Sequence, residues 1–132
     1  MQAETSDAVL DTAGLAVFLA NIYLPAVLYF PSVGVARHVA SRDELPEPGK
    51  YVGRARRALA NYHENLPFFL TLGLLALIVE GTDMAQAVLG AQLFVWARIA
   101  YIACYMISIP WTRSTAFTVG FVGLALMALA LI

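Results

Sequence analysis

The chain has 132 residues, of which 61% are hydrophobic and only 13% charged, with a formal net charge of −1. A soluble domain carries roughly 45–50% apolar and about 25% charged residues, so a globule this small would lack the polar surface to cover itself. The balance gives no reason to expect nucleic acid as a partner, and the single cysteine, Cys104, excludes an intrachain disulfide and a paired-cysteine metal motif.

Runs of about 20 apolar residues, the length that crosses about 30 Å of hydrocarbon, divide the chain. The first extends from Ala8 to Ala36, with Asp11 at its edge and Asn21, Pro25 and Pro31 inside. The polar stretch before it, with Glu4 and Asp7, is acidic and does not read as a cleaved signal peptide. The second run covers 55–79 and contains Glu64; the third covers 84–109 and contains Arg98; the fourth covers 115–132 and is uncharged. The expectation is one domain, residues 1–132, folded as an all-α integral membrane bundle of four helices.

The first connection, Arg37 to Arg54, is long, with Pro46, Pro48 and Gly49 as helix breakers. The second, Glu80 to Asp83, and the third, around Pro110 to Arg113, are short and make successive helices antiparallel neighbours. Arg37, Arg42, Lys50, Arg54, Arg56 and Arg57 flank or fill the first connection, and Arg113 the third. The positive-inside rule therefore puts both of these connections in the cytoplasm.

A charge at the centre of a spanning helix costs about 2.5–3.5 kcal/mol on insertion scales, so Glu64 and Arg98 need a reason. Arg57, Asn61 and Glu64 stand at i, i+4 and i+7; Arg98, Tyr101 and Tyr105 stand at i, i+3 and i+7. Each set forms one helical face. Two adjacent helices thus carry polar stripes that must meet another helix, another subunit or a polar ligand. Read one at a time, the residues have plainer roles. Glu64 and Arg98 make a structural ion pair, Arg57 an interfacial anchor, Tyr101 and Tyr105 interfacial aromatics, and Asn61 interhelical glue. On the same terms His63 and Cys104 are packing, and Trp111 and Tyr51 belong to the interfacial belt.

The segment Arg57-Ala-Leu-Ala-Asn61-Tyr-His-Glu64-Asn65-Leu-Pro67-Phe-Phe69 resembles the second-helix signature of the MAPEG family, the membrane-associated proteins in eicosanoid and glutathione metabolism. Arg98-Ile-Ala-Tyr101-Ile-Ala-Cys-Tyr105 resembles its third-helix pattern, and the likeness extends over the whole chain. The resemblance implies a homotrimeric four-helix bundle with glutathione bound between subunits near the cytoplasmic side. It also implies a membrane transferase or peroxidase of detoxification, acting on a hydrophobic electrophile or lipid hydroperoxide that arrives from the bilayer. Arg37, Arg57, Asn61, Glu64, Arg98, Tyr101 and Tyr105 match the family's glutathione-binding positions. Family members place a thiol-activating arginine where Thr112 stands; Arg113 is next to it and is the candidate catalytic residue. His38 and Asn65 replace a family arginine and tyrosine. These departures keep open a non-catalytic subunit packing in a larger membrane complex. A small-solute or proton transporter fits less well, since the chain shows no internal repeat. The short connections fit a bacterial inner membrane protein.

Overall fold

The structure is a computed structural model that describes residues 2–41, 43 and 45–132, without the side chains of Ala3, Glu4, Asp7 and Pro110; Arg42 and Glu44 of the first connection lie outside the described residues. Four helices follow one another: α1 (Gln2–Val39), α2 (Lys50–Ile78), α3 (Met84–Ile107) and α4 (Pro110–Leu129). No strand occurs among the described residues. The fold is the all-α membrane bundle that the apolar runs imply.

Three stretches, Ala8–Val39, Met84–Ile107 and Trp111–Leu129, are long and apolar enough to cross a bilayer, with mean hydropathies of 1.8, 1.6 and 1.4. Helix α2, the fourth helix of the bundle, is less apolar than these three. Its 29 residues rise about 43 Å, but Lys50, Arg54, Arg56, Arg57 and Glu64 crowd its first half. Those charges need neighbours other than lipid.

Helix bounds also differ from the apolar runs. Helix α1 begins at Gln2, ahead of Ala8, so the polar N-terminal residues are helical too; Ser6 Oγ donates to Gln2 O at 2.9 Å. Its helical geometry breaks at Gly34 (φ 74°, ψ 165°), a left-handed value that favours glycine. Helix α4 starts at Pro110 and not near Thr115. Proline lacks an N–H that the first turn would leave unbonded anyway, so it opens this helix. The break falls two residues earlier, at Ser108, whose φ of 69° caps α3. Helix α3 opens on Asp83, whose side chain accepts from Gln86 N at 3.1 Å.

The alternation of directions gathers the C-terminal ends of α1 and α3 and the N-terminal ends of α2 and α4 at one end. Every described arginine except Arg98 lies there. At the opposite end, Asp83 N donates to Ala130 O at 2.9 Å and ties the second turn to the end of α4. The centre packs Phe18, Tyr62, Leu66, Phe69, Phe94 and Met127, with Phe69 and Phe94 stacked at 4.4 Å. Helices α3 and α4 touch backbone to backbone. A methyl group on Gly90 would lie 2.5 Å from Gly123 O, and one on Gly123 would lie 2.6 Å from Gly90 O. Large apolar side chains such as Trp96, Phe68 and Phe121 point outward, as lipid permits.

Candidate functional site

The basic end holds a cleft of about 320 Å³ between α2, α3 and α4, lined by Arg54, Arg57, Cys104, Tyr105, Ser108 and Arg113 among others. Arg54 and Arg57 stand three residues apart on one face of α2. Arg54 Nη1 donates to Met106 O at 2.9 Å, which satisfies a carbonyl in the last turn of α3. Arg57 Nε donates to Tyr105 Oη at 3.0 Å. The Arg57 and Arg113 guanidinium carbons stand 5.8 and 5.0 Å from the centroid of the Tyr105 ring. One tyrosine therefore organises two cations by hydrogen bonding and by its π-face.

Arg113 reaches this cleft because α4 starts early and places it in the first turn. Thr112 does not line it; the Thr112 hydroxyl donates to Ile109 O at 3.1 Å and stays exposed. Between the two candidate positions for a cleft-facing cation, the structure puts a cation at Arg113.

One turn further along α2, Asn61 is half-buried and its Oδ1 accepts from Arg98 Nη1 at 2.6 Å. Arg98 is 1% exposed. Four rings surround its guanidinium carbon: Phe94 at 4.9 Å, and Tyr62, Tyr101 and Phe117 at 5.8 Å each. Its Nε and Nη2 are buried without a hydrogen-bond partner. The expected approach of Glu64 to Arg98 does not occur. Glu64, three residues on from Asn61, is exposed and makes no ion pair with Arg98 among the described residues. Tyr101 is buried and its ring lies 5.5 Å from that of Tyr105.

Arg37 is not brought to the cleft. It lines a separate pocket of about 340 Å³ with Ser41, Asp43 and Leu45, at the end of α1. His38 packs edge-on against Phe30, with ring centroids 5.7 Å apart. His63 lies 4.8 Å from the Phe18 ring, a packing contact. Asn65 Nδ2 donates to Asn61 O at 2.7 Å.

In the sequence Arg54 stands out only as one of the basic flanks of the first connection. Its spacing from Arg57 was the signal available. Cys104, a packing residue by its sequence context, lines the cleft half-buried.

A helical membrane bundle with an arginine-lined cleft at its basic end is the class that fold and site define. The chain belongs to the MAPEG family, whose model matches residues 11–132. It is similar to microsomal glutathione S-transferase 1 of Bos taurus and of Sus scrofa, at 41% identity over 71 residues, and to that of Rattus norvegicus at 39% over the same length. Each match covers 53% of this chain and 45% of the relative, so the chain aligns with a little under half the length of these relatives.

Proposed function

We propose that this protein is a membrane-embedded, glutathione-dependent transferase or peroxidase acting on hydrophobic electrophiles or lipid hydroperoxides. The observation that carries this reading is one cleft lined by Arg54, Arg57 and Arg113, two of them on the Tyr105 ring, with Asn61 one turn away on α2. The family and the names of its relatives supply glutathione as the candidate ligand.

Glutathione carries two carboxylates, an ammonium and a thiol. The arginines offer forked donors to the carboxylates. Glu64 offers the one charge on this face that suits the ammonium. A thiol with an ordinary pKa of about 8.5 must be drawn toward its thiolate; two units correspond to about 2.7 kcal/mol. Arg113 is the cation assigned to that task. In conjugation the thiolate sulfur forms a bond to an electrophilic carbon, whose leaving group departs with the bonding pair. In hydroperoxide reduction two glutathione thiols become a disulfide, and the hydroperoxide becomes an alcohol and water.

The assembly in this reading is a homotrimer in the bilayer. Glu64 lies on an exposed face of a membrane helix, and Arg37 lies apart from the cleft. A neighbouring subunit would cover the first and bring its own copy of the second. The basic end faces the cytoplasm, and the membrane is the bacterial inner membrane. A second reading, a non-catalytic subunit of a larger membrane complex, draws on Asn65, whose amide is spent on its own helix, and on Thr112, which does not line the cleft.

The test is turnover. Purified protein is given glutathione with a halogenated aromatic electrophile, then with a lipid hydroperoxide. Product formed with either supports the enzyme; glutathione binding without turnover of any electrophile favours the non-catalytic reading.

A further inference from the structure

Arginine has only donors to offer, and asparagine has one acceptor and one –NH2 donor on its side chain. Arg98 Nη1 lies 2.6 Å from the Asn61 side-chain oxygen, so the Asn61 amide has one chemically allowed orientation: Oδ1 toward Arg98, Nδ2 away from it. Arg98 itself is locked. It is 1% exposed, caged by four aromatic rings, and retains two buried N–H groups with no hydrogen-bond partner. Such a residue reaches no ligand at the surface of α2. Asn61 does, because it is half-buried and shares its helical face with Arg57 one turn away.

We infer that Arg98 is a positioning residue, not a ligand contact, and that it makes Asn61 an obligate hydrogen-bond donor to an acceptor atom of the bound ligand. This rests on the glutathione reading above and makes it more specific. The atom facing Asn61 is a carboxylate or peptide oxygen or the thiolate sulfur, and never the ammonium. The tripeptide is thereby oriented with its ammonium away from Asn61, toward Glu64. Arg98 supplies this selectivity without touching the ligand.

The discriminating substitution is Asn61→Asp. A carboxylate at this position still accepts from Arg98, now as a charge-assisted pair, but it has no donor left for the ligand. Stability and affinity should therefore separate. Thermal melting of the full chain in detergent micelles should hold or rise, while calorimetric affinity for reduced glutathione falls about tenfold or more. Arg98→Lys, which keeps a donor, should retain more affinity than Arg98→Met. Undiminished affinity in Asn61→Asp, with the unsubstituted protein binding, overturns the inference and leaves the glutathione reading standing. Affinity and melting temperature falling together in Asn61→Asp overturn it in favour of a packing role. No binding by the unsubstituted protein overturns both readings at once.

Discussion

Arg57 on α2 and Tyr105 on α3 are joined by a 3.0 Å hydrogen bond, and the same tyrosine ring lies under the guanidinium of Arg113 on α4. Three helices thus share one contact at the mouth of the cleft. Tyr105→Phe removes the hydroxyl and keeps the ring. It should cost about 0.5–1.5 kcal/mol of stability, the net worth of one such hydrogen bond. Glutathione affinity should fall several-fold as Arg57 loses its fixed orientation. Thermal melts and calorimetry on the same preparation check both numbers. Unchanged affinity would show that Arg57 needs no guide.

Arg113 and Thr112 give opposite expectations. Arg113→Ala should lower kcat by about tenfold or more, since the cation assigned to the thiolate is gone. Thr112→Ala should stay near the unsubstituted rate, since that hydroxyl donates to Ile109 O and does not line the cleft. Steady-state kinetics with one electrophile compare them. Equal losses would place the activating group elsewhere in the first turn of α4.

The backbone contact between Gly90 and Gly123 leaves no room for a methyl group on either side. Gly90→Ala and Gly123→Ala should each destabilise the bundle by about 1–3 kcal/mol through overpacking, even though alanine is the better helix former. A melting temperature equal to or above that of the unsubstituted protein would mean that the two helices can slide apart without loss.

Much of this architecture is legible in the residues. Apolar runs locate α1, α3 and α4, and the complete segregation of arginines other than Arg98 marks the basic end. What the runs miss follows from local chemistry that hydropathy does not see. Pro110 reads as part of the third connection, yet it opens α4, and that earlier start puts Arg113 in the first turn beside the cleft. The polar stripes of α2 and α3 are visible from spacing, but their pairing is not. Spacing alone set Glu64 against Arg98 by charge. Packing gives Arg98 to Asn61 and four rings, and leaves Glu64 exposed. Arg37 belongs to the stripe only by resemblance, and the fold of a single chain keeps it apart.

Glu64 is exposed on a membrane helix, where an uncovered charge costs about 2.5–3.5 kcal/mol on insertion scales. On the proposed reading, in which the carboxylate holds the ammonium, Glu64→Gln should weaken glutathione binding while leaving the oligomeric state of the protein unchanged. Size-exclusion chromatography with light scattering, run beside calorimetry, separates the roles. Dissociation of the oligomer with affinity intact would make Glu64 a subunit contact and remove it from the ligand site.

The most direct test of the account is calorimetric titration of the detergent-purified protein with reduced glutathione, with Arg57→Ala titrated in parallel. Saturable binding by the unsubstituted protein, reduced about tenfold or more by the substitution, is the predicted result. A folded protein that takes up no glutathione at millimolar concentration, or one that binds it equally well without Arg57, would contradict it.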